Sequence, residues 1–208
     1  MTSDTKLMTG WKIVGVITLF LLAIFVTIFA IAGTAEAGIR MYIRASARTS
    51  FVLFSSAFLA SALYRLWPGP LTRWLRANRR YIGVSFAISH TFHLLGILAL
   101  SHWSPHQFVT VNVPPLLIGG GIAYFFILLM VITSFDRTTH WLGTRRWRIL
   151  HLTGAYVIWL VFTLTYFPKA IKNPFYIPFA VFAVTTPLLR FLAWRQSRRI
   201  AQQVSSTR

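Results

Sequence analysis

The segment from Arg79 to His93 reads RRYIGVSFAISHTFH, and it decides how the rest of the chain is interpreted. Two arginines precede an apolar stretch that carries His90 and His93, three residues apart and therefore on roughly one face of a helix. His93 lies about 18 Å beyond Tyr81 along a helix that rises 1.5 Å per residue. Ionisable side chains are costly inside a membrane-spanning helix and mark a functional site by default. The segment therefore predicts a transmembrane helix with a buried imidazole site.

The composition is that of an integral membrane protein. The 208 residues are 56% hydrophobic and 12% charged, and the mean hydropathy is +0.63, whereas soluble domains are about 45–50% apolar and about 25% charged. Basic residues outnumber acidic ones by 21 to 3. Because they lie between apolar segments, membrane orientation and anionic headgroups explain them, and we expect no nucleic-acid partner. The absence of cysteine excludes disulfides, iron–sulfur clusters and thiolate metal ligands.

Six apolar segments have about the length needed to cross a bilayer. We predict an all-α integral membrane protein, in which residues 1–208 form a single transmembrane domain, a bundle of six transmembrane helices. The first segment is followed by Ala35-Glu36-Ala37, which is similar to a signal-peptidase site. A secretory signal has an apolar core of only about 7–15 residues, so we expect this longer segment to be retained as a helix. The predicted spans are 11–32, 51–66, 81–100, 116–133, 147–167 and 175–194.

The distribution of basic residues predicts the orientation of these helices. Of the 21 basic residues, five fall on one side of the predicted membrane, namely Arg40, Arg44, Arg48, Lys169 and Lys172. The other side is therefore predicted to be cytoplasmic, and it holds both termini. The three arginines are four residues apart and predict a short helix along the outer surface, in contact with headgroups or an acidic partner. The cytoplasmic set comprises Lys6, Lys12, Arg65, Arg73, Arg76, Arg79, Arg80, Arg137, Arg145, Arg146, Arg148, Arg190, Arg195, Arg198, Arg199 and Arg208.

A second buried histidine, His151, follows Trp147 in the fifth predicted span at a depth of about 6 Å. Its depth differs from that of His93 by about 12 Å. Unless a helix is broken or strongly tilted, the two histidines cannot bind one metal atom, and two levels of imidazole are predicted. Two such levels suit b-type haems, whose iron takes axial histidines in apolar surroundings. The alternative is that each histidine only hydrogen-bonds a neighbouring helix. Gly96 and Gly154 each lie three residues after a histidine and are expected to leave space beside it.

Two arginine pairs stand at the cytoplasmic ends of the spans that carry these histidines. Arg79 and Arg80 precede the third span, and Arg145 and Arg146 precede the fifth. Guanidinium groups bind carboxylate and phosphate in a bidentate manner. We therefore predict that these pairs neutralise haem propionates or the phosphate of a flavin such as FMN.

The remaining histidines are weaker candidates. His102 and His106 are four residues apart in the predicted external loop and could bind a metal, although exposed loop histidines usually have no ligand. His140 stands beside Trp141 and is predicted to be interfacial. Metal transport is not supported, because the carboxylates of the chain are few and outside the apolar segments: Asp4, Glu36 and Asp136.

Several of these motifs resemble the ferric-reductase-like transmembrane family. The resemblance covers residues 51–166 and is closest to the haem-binding membrane subunit of periplasmic methionine-sulfoxide reductase systems. Each motif is short, but together they occur in the family's order and on the expected helices. The matching residues are Arg79, Arg80, Gly83 and His93, then Thr133-Ser134-Phe135, Leu142-Gly143, Arg146-Trp147, Leu150-His151, Tyr156 and Tyr166.

The resemblance implies a b-haem protein of the bacterial inner membrane. Such a protein takes electrons from a cytoplasmic flavin reductase or from quinone and passes them to a periplasmic molybdenum-cofactor reductase, or in relatives to ferric iron or oxygen. His93 and His151 match two haem-ligand positions of the family and are the metal-ligand candidates, with His90 as a further cofactor contact.

One ligand position of the family is not matched. The family has another histidine just before the tyrosine that matches Tyr166, whereas this chain has Leu164 and Thr165 there. The outer haem level is therefore expected to be five-coordinate, differently ligated or empty. At the inner level, Met130 is a candidate thioether ligand for a haem bound by His151.

Two functions follow from these observations. The first is an electron-transfer subunit of an oxidoreductase system rather than a complete enzyme, since the sequence contains no Gly-rich nucleotide fingerprint. The second is a haem-free family member that acts as a membrane scaffold or partner-binding subunit. In that case the histidines only form hydrogen bonds between helices.

Overall fold

The computed structural model describes residues 8–106, 108 and 114–206, and in these residues the regular structure is helical, without a strand. The all-α prediction is confirmed for this part of the chain. Lys6, Asp4 and Arg208, which entered the analysis of charge, lie outside the described residues. The principal helices are α1 (Trp11–Ala32), α2 (Glu36–Leu66), α3 (Pro70–Trp103), α4 (Pro114–Ile132), α5 (Asp136–Leu142), α6 (Thr144–Lys172) and α7 (Ile177–Ser206), with a 3₁₀ turn at Pro174–Tyr176.

In the part of the chain that the structure describes, five helical segments are long and apolar enough to cross a membrane. They are α1, α2, α3, α6 and the segment Pro174–Arg199, which includes most of α7. Helices α4 and α5 are bent by 103° where they meet, and they make a sixth candidate if the two are counted together as one broken span. Helices of this length and composition identify a multi-pass membrane protein whose surroundings are a lipid bilayer.

The structure places Arg40, Arg44 and Arg48 within α2, so the prediction of a separate surface helix was wrong. Helix α2 is continuous over 31 residues, and the three arginines occupy its first turns. Arg40 pairs with Glu36 one turn earlier, with 2.7 Å between Nε and Oε1. An acidic residue in the first turn of a helix is favourable because it faces the positive end of the helix dipole. The spacing of the arginines alone could not distinguish a surface helix from the first turns of a longer one.

The chain divides into two compact units, Met1–Phe54 with Asn78–Val113, and Ser55–Ala77 with Pro114–Arg208. In the first unit, Phe25 of α1 meets the ring of Tyr42 on α2 at 4.6 Å between centroids. It meets the ring of Phe92 on α3 at 5.3 Å. The hydroxyl of Tyr42 donates to the carbonyl of Phe92 at 2.8 Å, so that the polar end of this buried side chain is satisfied. These aromatic side chains join α1, α2 and α3.

In the second unit, α6 contacts both α4 and α7. Trp159 of α6 donates its Nε1–H to the carbonyl of Ala183 on α7 at 2.8 Å. Toward the end of α6, Tyr166 is 2% exposed, and its ring stacks on Phe179 of α7 at 5.2 Å between centroids. Aromatic stacking and one indole hydrogen bond therefore align α6 with α7.

Candidate functional site

The side chain of His93 is fixed by a backbone carbonyl of α2. Its Nδ1 lies 3.1 Å from the carbonyl oxygen of Ile43 and 3.1 Å from Oγ of Ser46. Because a carbonyl oxygen can only accept, Nδ1 carries the proton, and in the neutral imidazole the lone pair is on Nε2. Metal-binding histidines have this arrangement, in which one ring nitrogen donates to a carbonyl or carboxylate and the other coordinates the metal.

Four hydroxyl side chains continue this contact between α2 and α3. We call Ser46, Thr49, Ser50 and Ser89 the hydroxyl seam. Ser50 donates to the hydroxyl oxygen of Ser89 at 2.9 Å, and the hydroxyls of Thr49 and Ser89 are 3.1 Å apart. The three serines are fully buried. Small residues allow transmembrane helices to approach closely, and their hydroxyls hydrogen-bond across the interface. The seam therefore holds the two helices at a fixed distance around His93.

His90 lies beside His93, as their spacing predicts. The two imidazole rings stack with 5.1 Å between centroids and 28° between planes. On its other side, the ring of His90 lies beside that of Phe86, with 5.4 Å between centroids. His90 is buried, with only 9% of the residue exposed. The first unit thus contains an imidazole pair covered by an aromatic ring.

His151 is held in a different way. Thr133 donates its hydroxyl hydrogen to the carbonyl of Leu129 at 2.7 Å. The 2.9 Å contact between Thr133 Oγ1 and His151 Nε2 therefore has the imidazole as donor, with its proton on Nε2. One face of the ring is covered by Trp147, with 4.2 Å between centroids. The remaining nitrogen, Nδ1, is next to the ring carbon that carries Cβ, and it is therefore closer to the helix backbone than Nε2 is.

His151 belongs to a group of side chains that closes the bend after α4. We call Thr133, Thr139, Trp147 and His151 the Thr133 corner. Trp147 Nε1 and Thr139 Oγ1 each donate to the carbonyl of Thr133 at 2.9 Å. Gly143 follows with φ +78°, a conformation that favours glycine. The last carbonyls of a helix have no partner within the helix, and here side chains of the following segment provide one.

We expect His151→Ala to destabilise the protein, because it removes the hydrogen bond to Thr133 and the stack on Trp147. The loss should be about 1–3 kcal/mol, the usual cost of leaving a buried hydrogen-bond partner unsatisfied. Thermal unfolding in detergent should show a midpoint several degrees lower than wild type. His140→Ala is the matched control, since His140 is exposed on α5. Equal midpoints for the two variants would contradict the structural role of His151.

The predicted arginine pairs are mostly solvent- or lipid-facing. Arg79, Arg145 and Arg146 are exposed, and Arg80 is half-buried with its guanidinium 6.0 Å from the ring centroid of Tyr81. The first pair lies in the first unit and the second pair in the second unit. Their predicted role with propionates or a flavin phosphate stays a prediction.

The spaces expected beside the two glycines are occupied. A Cβ placed on Gly96 would lie 2.7 Å from ring carbons of Tyr42, and one on Gly154 would lie 2.7 Å from Sδ of Met130. Each glycine therefore marks a close approach of a neighbouring helix, not a gap. Met130, a candidate thioether ligand, uses its sulfur in packing against α6.

The position of the unmatched family histidine contains no ligand. Leu164 is 63% exposed, and Thr165 donates its hydroxyl to the carbonyl of Val161 one turn earlier, at 2.8 Å. His102 and His106 are both exposed, as expected for loop residues. Among residues 8–106, 108 and 114–206, no three His, Asp or Glu side chains converge on one point.

These observations test the two haem-ligand positions implied by the resemblance. His93 fits an axial ligand, because Nδ1 donates to a carbonyl and Nε2 carries the lone pair. His151 does not fit, because its Nε2–H is donated to Thr133 and Trp147 covers the ring.

The hydroxyl seam was not predicted from the sequence. Its signal was present as small polar residues one turn apart, since Ser46 and Ser50 are four residues apart on α2 and Ser85 and Ser89 are four apart on α3. Such a stripe marks a helix–helix contact in a membrane.

The sequence matches no protein-family model, and no curated protein matches it significantly. The resemblance to the ferric-reductase-like family therefore depends on the motifs themselves.

Proposed function

We propose that this protein is an electron-transfer subunit that binds one b-type haem through His93. It would be a bundle of six transmembrane helices in the bacterial inner membrane, with both termini in the cytoplasm. Electrons would come from a cytoplasmic flavin or from quinone and leave to a periplasmic reductase, such as a molybdenum-cofactor enzyme. The ferric-reductase-like resemblance supplies this direction of transfer.

The observation that carries the proposal is the hydrogen bond from Nδ1–H of His93 to the carbonyl of Ile43. A donated Nδ1–H fixes both the tautomer and the orientation of the ring, and it makes Nε2 more basic. An imidazole inside an apolar helix and oriented by a carbonyl is what an axial haem ligand requires.

The residues around His93 have distinct roles in this proposal. Ile43 and Ser46 hold the imidazole, and the hydroxyl seam keeps α2 at the distance that these contacts need. Phe86 and His90 exclude water from one side of the ring. The haem itself would supply a carrier that accepts and releases one electron at a time. Arg79, Arg80, Arg145 and Arg146 would contact the acidic groups of haem or FMN.

One haem, not two, is the stoichiometry that the side chains support. The contacts of His151 are those of a structural residue in the Thr133 corner. His93 remains as the one family ligand position whose tautomer is suitable.

The test is the optical spectrum of the purified full-length protein. The protein would be expressed with ample haem supply, purified in detergent, and measured as the dithionite-reduced minus oxidised difference. We expect sharp b-type bands and about one haem per chain by the pyridine haemochrome assay. His151→Ala should retain the bands. A colourless wild-type preparation, or a haem content that falls by half in His151→Ala, would overturn the proposal.

A haem-free scaffold or partner-binding subunit is the second candidate. It is favoured by the rings and sulfur that fill the spaces beside Gly96 and Gly154, and by Leu164 and Thr165 at the unmatched ligand position. Under this alternative His93 joins α2 to α3 through Ile43 and has no metal. The colourless preparation described above is the result that it predicts.

A further inference from the structure

Arg190 of α7, which the sequence analysis counted among the cytoplasmic basic residues, lies among aromatic rings. Its guanidinium carbon is 4.1 Å from the ring centroid of Phe58 and 5.4 Å from that of Tyr156. Nη1 donates to the carbonyl of Phe58 at 2.8 Å, and Nε lies 3.4 Å from the hydroxyl of Tyr156. We call these three residues the Arg190 cluster. One cation thus joins α2, α6 and α7 within the second unit.

The cluster lies inside the apolar part of these helices. Phe58 precedes Leu66, the end of α2, by two turns, which is about 12 Å at 1.5 Å per residue. A charge within an apolar helical segment is costly unless another group compensates for it. Aromatic faces stabilise a cation but leave its charge in place. Among the described residues, Arg190 forms no ion pair with a carboxylate. No carboxylate among the described residues therefore neutralises this positive charge.

An apolar depression adjoins the cluster. It follows one face of α6, and Tyr156 belongs both to it and to the cluster. Its leucines at 152 and 160 are 43% and 47% exposed, so the depression is open to the surroundings of the helix. In a bilayer, such a surface is in contact with hydrocarbon chains. The residues that line it are Leu152, Thr153, Tyr156, Val157, Trp159 and Leu160.

We propose that the Arg190 cluster binds the phosphate of an anionic phospholipid, with one acyl chain lying along the depression on α6. A guanidinium has five N–H donors in a planar fork that matches phosphate oxygens, and the protein uses only some of them at Arg190. An anionic lipid restores neutrality, whereas a zwitterionic lipid brings its own cation. The apolar depression favours a lipid over an acidic protein side chain, because it provides contact area for a hydrocarbon chain. The proposal concerns the second unit alone and does not depend on haem.

The experiment is a lipid competition read by native mass spectrometry. The full-length protein would be purified in detergent, stripped of lipid, and given phosphatidylglycerol and phosphatidylcholine of equal chain length at equal concentration. We expect wild type to retain phosphatidylglycerol at least about tenfold more than phosphatidylcholine, since a bidentate charge-assisted contact is among the stronger ones available. Arg190→Gln should bring the two lipids to near parity.

Arg198→Gln is the matched control. Arg198 is also on α7 and also lies over an aromatic ring, 4.4 Å from the ring centroid of Trp194, but it is exposed. It should keep the wild-type preference. If Arg190→Gln does not fold, Arg190→Lys decides, because it keeps the charge and loses the planar fork, and we expect a reduced preference. Three results would overturn the proposal. The first is a wild-type protein that shows no preference between the two lipids, and the second is an equal loss of preference in Arg190→Gln and Arg198→Gln. The third is a preference as large as that of wild type in Arg190→Gln or in Arg190→Lys.

Discussion

His93→Ala is expected to abolish the b-type bands of the reduced-minus-oxidised spectrum. Haem content should fall from about one per chain to below about a tenth, because no other described residue offers an imidazole with its lone pair on Nε2 and its Nδ1–H donated to a carbonyl. The pyridine haemochrome assay on matched amounts of purified protein measures this change. The effect is the largest that we predict, since the substitution would remove the proposed ligand of the haem iron.

Two further variants separate loss of the ligand from loss of the fold. Ser46→Ala keeps the imidazole and its bond to Ile43 but removes the 3.1 Å contact with Ser46. It should retain the spectrum with about tenfold weaker haem binding, the usual scale for a residue that orients a metal ligand. His102→Ala, at the exposed end of α3, should have no effect. Full haem content in His93→Ala would show that iron is bound elsewhere or that His93 is not a ligand.

Gly96→Ala should strongly destabilise the first unit. The added methyl group would lie 2.7 Å from two ring carbons of Tyr42 and 2.9 Å from Cγ1 of Ile43, closer than van der Waals contact allows. Tyr42 has little freedom to move, because it is 6% exposed and its hydroxyl is bonded to the carbonyl of Phe92. Overpacking of this kind costs about 1–3 kcal/mol. Thermal unfolding in detergent should report the loss as a lower midpoint.

Gly83→Ala is the control for this experiment. Gly83 is on the same helix, and a Cβ there would meet no atom within 4 Å. Alanine favours a helix over glycine by about 0.8–1.0 kcal/mol, so this variant should be unchanged or slightly more stable. If both variants behave alike, then the contact between α2 and α3 at Gly96 is looser than the distances indicate.

Local patterns in the sequence predicted the local features of the structure. The lengths of the apolar segments predicted that the protein is helical. The three-residue spacing of His90 and His93 predicted that their rings lie side by side, because both residues are on one helix. The glycines at 96 and 154 correctly marked unusual positions but not what lies beside them. A missing Cβ can leave a gap or admit a neighbour, and only the neighbouring helix determines which.

Features that depend on distant residues were not predictable in the same way. The bond from His151 to Thr133 joins α6 to the end of α4, and the contact of Arg190 with Phe58 joins residues 132 positions apart. From the sequence, His151 has the character of a haem ligand, and Arg190 counts only as one of the cytoplasmic basic residues. In the structure, Thr133 makes His151 a structural residue, and Phe58 places Arg190 among aromatic rings.

The Thr133 corner also bears on how the protein responds to its solvent. The indole, hydroxyl and imidazole donors there act on uncharged oxygens. The contact of Glu36 with Arg40 at the start of α2, by comparison, is between opposite charges near the surface, and interactions of that kind are weakened as ionic strength rises. Concentrated salt should therefore weaken the contact of Glu36 with Arg40 while leaving the hydrogen bonds at the bend after α4 unchanged.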